Sequence, residues 1–302
     1  MPLKTCPSPI KVFSILLFYL CLASFFWGCA STRIKLPEMS QTATGQYHEG
    51  RFVWFDLYTD DLTGCSLFYE KLFGWSFEHL GSPNVRTILK NGVPIGNAVY
   101  SKPLKKEIKE SRWLGFISVT NVDEVSEIIQ KNKGSLYIPP KDLPDRGRVC
   151  VAIDPQGAIF GIVRAKGGDP MPPETLENQW MGSELWTTHK DAAIQFYQGI
   201  AGYGTREISM EPFGQYTFLT KENRSVAGIV QITWDHVKPN WLPYIAVADV
   251  ALISHRAEKL GGKILVSPEP NVKEGHVAII SDPSGAVFAV QQLPTQTTGE
   301  DQ

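Results

Sequence analysis

The sequence predicts an α+β fold built from four copies of one module, each a strand, a helix and three further strands. Three observations carry this expectation. The chain writes one turn twice, as "DPQGAIFGIV" from Asp154 to Val163 and "DPSGAVFAVQ" from Asp282 to Gln291. The offset of 128 residues between them also aligns Asp56 with Glu184, Phe68-Tyr69 with Phe196-Tyr197, Trp113 with Trp241 and Gly147 with Gly275. A constant offset over such a span marks internal duplication. Within each half, alternating strand patterns and capped helix patterns recur in the same order.

The elements follow in order. "RFVWFDLYT" alternates as a strand and is rich in aromatics. "DDLTGCSLFYEKLFG" reads as a helix capped by Asp60 or Asp61 and stopped by Gly74. "WSFEHL", "VRTILK" and "PIGNAVYS" are short strands. The plan restarts at "WLGFISV", continues through a helix opened by Asn121 with Glu124 three residues on, and ends in "SLYIPP", "GRVCVAI" and "AIFGIVR". The second half repeats this plan. The units span 51–165 and 178–293, with 166–177 as a Gly/Pro-rich linker and 294–302 as a tail. One local slip pairs Gly96 with Gly228.

The N-terminus has another character. Two lysines precede sixteen uncharged residues, 12–27, and "GCAS" follows. This is the plan of an export signal, 1–28, with Cys29 as a lipid-bearing cysteine and 29–50 as a polar tether. The apolar run is shorter than the ~20 residues a membrane-spanning helix needs. A plain anchor or another cleavage point remains open, because Phe26 and Trp27 replace the usual leucine and small residue. The expected location is a bacterial cell envelope, with membrane contact through this segment. In the folded part Cys65 and Cys150 either pair or remain buried thiols.

Net charge is −2, from 29 basic and 31 acidic residues, with no basic stripe; nucleic acid is not an expected partner. No GxSxG elbow, P-loop, dinucleotide glycine fingerprint or CxxC pair occurs, and the six histidines form no metal-ligand spacing.

The stretch "WFDLYTDDLTGCSLFYEKLFGW" resembles the opening of vicinal-oxygen-chelate proteins, the glyoxalase/bleomycin-resistance/dioxygenase superfamily. "DLPDRGRVCVAIDPQGAIFGIV" resembles their ending, and both units share the pattern. The resemblance implies two tandem domains, each of two βαβββ modules curved into a half-open barrel, with a ligand in the cup. Members that use a metal hold a divalent ion with four inward side chains, usually His, Glu or Gln, as a Lewis acid. Those positions carry over to Trp54, Gly96, Leu114 and Gly161, then to Gly182, Gly228, Leu242 and Ala289. None is a metal ligand, so no cofactor is expected unless the ligand positions are misaligned.

Strand alternation places Trp54, Asp56 and Tyr58 on one face, and Gly182, Glu184 and Trp186 on the equivalent one. Phe116 and Tyr244, equivalent to each other, line an apolar cup or pack as ordinary core. Asp56 and Glu184 have three roles open to them. A carboxylate among aromatics with a raised pKa serves as a general base; otherwise it orients a ligand or supports the backbone. The leading expectation is an exported protein that binds a small molecule in metal-free cups. The alternative is a lyase, isomerase or dioxygenase using Glu184 or Asp56 as base, or metal ligands from unexpected positions. A purely structural envelope protein is a third reading. Homodimerisation or pairing of the two domains within the chain completes the expectations.

Overall fold

The structure, a computed structural model, describes residues 35–79, 82–102, 111–173, 176–209, 215–233, 237–270 and 273–293. The proposed signal, Cys29 and the tail 294–302 lie outside them. No helix among the described residues is long and apolar enough to cross a membrane.

The first half contains β1 (Phe52–Thr59), α1 (Leu62–Phe73), β2 (Ser76–Glu78), β3 (Val85–Lys90), β4 (Val93–Tyr100), β5 (Arg112–Ser118), α2 (Val122–Lys131), β6 (Ser135–Leu143), β7 (Gly147–Ile153) and β8 (Ile159–Ala165). The second contains β9 (Gln179–Thr187), α3 (Lys190–Ala201), β10 (Gly204–Ser209), β11 (Gln215–Lys221), β12 (Arg224–Gln231), β13 (Asn240–Val247), α4 (Val250–Lys259), β14 (Lys263–Val266), β15 (Val277–Ser281) and β16 (Val287–Gln292). Each half forms one eight-stranded sheet, ordered β2-β3-β4-β1-β5-β8-β7-β6 and β10-β11-β12-β9-β13-β16-β15-β14. The α+β class and the tandem arrangement of curved sheets stand as expected.

Local chemistry explains the helices. Asp61 caps α1 by accepting from the Gly64 amide, and Gly74 ends the helix in the left-handed conformation. Asn121 caps α2 by accepting from the Asp123 and Glu124 amides. One face of each sheet carries helices and the other forms the cup.

The helix layers are shared between the halves. One apolar core joins α1, Trp75 and Trp113 to β13, α4, β15 and β16; a second joins α2, β7 and β8 to α3, β12 and Trp241. The repeated turn supplies the polar lock of this exchange. Asp154 accepts from the Gln156 and Ala158 amides of its own turn, and from Tyr197 Oη of the other half at 3.1 Å. Asp282 does the same with the Ser284 and Ala286 amides and with Tyr69 Oη, also at 3.1 Å. Trp241 Nε1 and Trp113 Nε1 donate in turn to the two tyrosine hydroxyls. The two halves therefore pair within the chain through equivalent residues. Burial pushes both aspartates up, against the amides and hydroxyls that hold them.

Cys65 and Cys150 are free and buried. Burial, and secondarily Asp282, pushes the Cys65 thiol up to about 12; burial and Asp123 push Cys150 up to about 11. Neither is a thiolate nucleophile near neutral pH.

Candidate functional site

The central strands β1 and β9 run down the two cups. In the first, Asp56 lies opposite Leu114 of β5 and beside Asn97 of β4, while Trp54 lies opposite Phe116, which neighbours Gly161. In the second, Glu184 lies opposite Leu242 and beside Gly228, and Gly182 opposite Tyr244, which neighbours Ala289. Gly96 is corrected here. It pairs with Phe55 on the helix side, and Asn97 holds the inward position equivalent to Gly228. The register of a strand decides its face, and a one-residue error reverses it.

The floor of the first cup is closed. Asp56 is fully buried; its Oδ1 accepts from Trp54 Nε1 at 2.8 Å and Asn97 Nδ2 at 3.1 Å, and its Oδ2 from Arg146 Nη1 at 2.8 Å. Both side chains of the ion pair have no solvent exposure. The guanidinium lies over the rings of Trp54 and Phe116, 5.4 and 5.8 Å from their centroids. A hollow of about 350 Å³ lies along Tyr58, Leu114, Val151 and Ile159, but it is not lined by Asp56 or Arg146. Burial and then Asp56 push the Tyr58 phenol well above its ordinary value.

The second cup is open to its polar centre. A cavity of about 170 Å³ is lined by Glu184, Tyr216, Tyr244 and Lys273 together with Met181 and Phe218. It is the smaller hollow of the two, yet it is the one lined by the inward carboxylate of its central strand; the larger is lined by Asp60, Lys102 and Arg112 instead. Glu184 is 3% exposed. Its Oε1 accepts from Trp186 Nε1 at 2.8 Å and Tyr244 Oη at 2.9 Å. Its Oε2 accepts from Lys273 Nζ at 2.6 Å and from the Tyr216 hydroxyl.

The backbone is shaped around this cluster. A Cβ on residue 228 would overlap the Tyr216 hydroxyl, so glycine is needed there. Lys273 and Glu274 take left-handed φ values of 44° and 58°, and Gly275 follows at 81°. Non-glycine residues in that region cost about 1–3 kcal/mol each and recur where a side chain must be presented.

Of the three roles open to Glu184, its surroundings bear first on that of general base. Burial alone would raise Glu184, but the Lys273 ammonium and the hydrogen bonds from Lys273, Tyr216 and Trp186 hold it below the ordinary carboxylate value. With four donors engaged, it is a fixed anion. Tyr216 and Tyr244 move the other way; burial and then Glu184 push both well up, so they remain neutral donors. Asp56 is equally engaged by donors and has no opening to a hollow.

All seven predicted cup residues thus take cup-side positions: Trp54, Asp56 and Phe116 on the closed floor, Tyr58 in the side hollow, and Glu184, Trp186 and Tyr244 in the open cup. Sequence reasoning missed Arg146, Asn97, Tyr216 and Lys273. A signal existed for two of them. Arg146 immediately precedes Gly147, and Lys273 stands two before Gly275, the aligned glycines of the repeat.

A pair of tandem cups, each with one inward carboxylate on its first strand, defines a class of protein. No family model matches the chain. It is 29% identical over 251 residues to "Putative glyoxylase CFP32" of Mycobacterium tuberculosis (strain CDC 1551 / Oshkosh), covering 81% of this chain and 95% of that protein. It is 24% identical over 263 residues to "Anthracycline biosynthesis protein DnrV" of Streptomyces peucetius, covering 82% and 95%. Among solved structures, the Mn(II)-bound glyoxalase from Novosphingobium aromaticivorans superposes with a TM-score of 0.55 at 14% identity, over 82% of this chain and 83% of that one. The 2,3-dioxygenase LapB from Pseudomonas sp. KL28 gives 0.56 at 10%, over 84% and 96%. The chain is thus similar in sequence to proteins named for glyoxylase and anthracycline biosynthesis, and it shares its tandem fold with glyoxalase and extradiol dioxygenase structures.

These relatives overturn the expectation of no cofactor, since a neighbour with this fold is a Mn(II)-bound glyoxalase. The donors in this chain fit such an ion poorly. Among the described residues no group of three or more His, Cys, Asp or Glu converges. Each inward carboxylate already holds a side-chain cation, at 2.8 Å for Asp56 and 2.6 Å for Glu184.

Proposed function

We propose that the chain is a small-molecule-binding member of the vicinal-oxygen-chelate superfamily whose working site is the second cup. The observation that carries this is the contrast between two equivalent carboxylates. Asp56 is sealed by a guanidinium with no exposure, whereas Glu184 and Lys273 line an open cavity. Ligand pockets combine apolar walls with a few fixed polar groups, and Met181, Phe218 and Tyr244 around Lys273 meet that description. The names glyoxylase and anthracycline biosynthesis protein among the relatives support a small organic molecule as the ligand class. Catalysis with Glu184 as base has no support in its four engaged donors.

Native mass spectrometry of protein from its source, compared with Gly228→Val, tests this reading. A side chain at 228 fills the cup at Tyr216. The expected result is a co-purified or added small molecule that is lost in the variant, which stays folded but melts lower because the added side chain displaces the Tyr216 hydroxyl. Binding that survives Gly228→Val but disappears with Leu114→Trp would move the site to the first cup and end the proposal.

The proposal includes export and lipid attachment at Cys29, supported by the basic start, the apolar run at 12–27 and "GCAS". Fractionation of cells making the wild type and Cys29→Ser tests it. A membrane-bound wild type and a released variant are expected; two soluble proteins with intact N-termini would refute it.

A further inference from the structure

The polar groups of the second cup are unevenly committed, and this points to the charge of the ligand. Glu184 has every oxygen engaged, Oε1 by Trp186 and Tyr244 and Oε2 by Tyr216 and Lys273. It has no free position for a ligand donor. Both tyrosine hydroxyls spend their single proton on Glu184. Lys273 is different. An ammonium carries three protons. One meets Glu184 at 2.6 Å and one Tyr244 Oη at 3.3 Å; the ammonium also lies over the Tyr216 and Tyr244 rings, 4.6 and 4.9 Å from their centroids, and no third oxygen or nitrogen acceptor is in reach among the described residues. The side chain is 25% exposed and lines the cavity. The cup therefore presents a charged donor and no free acidic acceptor.

The rim adds a second cation. Arg206 Nη2 donates to Ser225 Oγ at 2.8 Å, and its guanidinium lies 5.5 Å from the Phe218 ring centroid. Ser225 and Phe218 both line the cavity. The nearby acidic Glu207 faces Lys190 at 3.6 Å. Among the described residues, the cations Lys273 and Arg206 thus stand against the carboxylate of Glu184, a balance that one negative ligand charge completes. Size narrows the class further. The cavity of about 170 Å³ is close to the ~150 Å³ that a dry protein cavity needs to take up benzene.

We infer that the second cup takes a monocyclic aromatic monoanion, its oxyanion on Lys273 and its ring against Phe218 and Met181. This rests on the reading of the second cup as the ligand site and goes beyond it to the ligand's charge and size.

Calorimetric titration of the full chain with benzoate and with benzamide, its neutral counterpart, tests the inference. Hydrogen bonds to charged groups set the scale: benzoate should bind about tenfold or more tighter than benzamide. Lys273→Gln should remove that preference, weakening benzoate by about tenfold or more and benzamide by less. Arg206→Gln, on the rim and outside the buried cluster, should weaken benzoate by a few fold and lower the salt dependence of its binding. Should Lys273→Gln not fold, the preference in the wild type and the Arg206→Gln result decide the matter. Equal affinity for the two probes overturns the inference and leaves small-molecule binding intact. No binding of either at millimolar concentration also overturns it, and the Gly228→Val comparison then judges the second cup by itself.

Discussion

Replacing Arg146 with Met separates a structural ion pair from a working one. The substitution keeps most of the side-chain volume and removes the guanidinium. Asp56 then stays fully buried with Trp54 and Asn97 as donors, its Oδ2 having lost the 2.8 Å contact to Arg146. Breaking a buried pair at one end costs about 3–5 kcal/mol, because an uncompensated charge remains out of water. A domain of this size loses about 2–4 °C in melting temperature per kcal/mol, so the shift should be roughly 6–20 °C. Asp56→Leu combined with Arg146→Met removes both charges and should recover most of the loss, since apolar replacement of a whole buried pair is often neutral. Denaturant unfolding of wild type, both single variants and the double variant closes the cycle. A single-variant loss below about 1 kcal/mol, or a double variant no better than Arg146→Met, would refute the description of the first cup as sealed.

Other outcomes follow from the same structure. Lys273→Met in the open cup should cost only about 1–2 kcal/mol, because the side chain is 25% exposed and water can reach Glu184; denaturant unfolding checks this. Tyr69→Phe and Tyr197→Phe each remove a hydroxyl donor from a buried aspartate oxygen, Asp282 keeping only the Cys65 thiol at 3.6 Å on that oxygen, and should cost similar amounts, about 1–3 kcal/mol, additive in the double variant because the two sites share no partner. Unfolding measured from pH 7 down to pH 3 should show an acid-side loss that is smaller in Glu184→Gln. The folded carboxyl lies below its unfolded value, so its stabilisation is present above the unfolded value and vanishes as pH falls through the folded one. Mass mapping after treatment with a thiol reagent at pH 8 should find Cys65 and Cys150 unmodified in the native protein and modified after unfolding.

Much of this architecture is legible in the amino-acid order, for physical reasons. Strand alternation has a period of two, so placing Asp56 and Glu184 on the cup face needed only one correctly read strand each. Caps at Asp61 and Asn121 and the stop at Gly74 are short-range chemistry. Asn97 was missed because the neighbouring strands carry register irregularities, between Ile88 and Leu89 in one half and between Leu219 and Thr220 in the other. A repeat offset cannot resolve such a shift. Arg146 and Lys273 were missed for a different reason. Both sit in turns before a strand, where no periodicity sets the direction of a long side chain. The loss of a raised pKa at Glu184 follows from the second omission, since the ammonium that lowers it comes from 89 residues away. The exchange of helix layers between the halves was also hidden. Tyr69 and Asp282 recur at matching places in the repeat, but nothing local says that each bonds across the halves.

A crystal structure of the full chain grown with benzoate tests the central claim most directly. The account predicts a ring in the second cup with its carboxylate on Lys273, while Asp56 and Arg146 remain paired and covered. Benzoate found in the hollow beside Tyr58 and Leu114, with the cup at Glu184 empty, would contradict it.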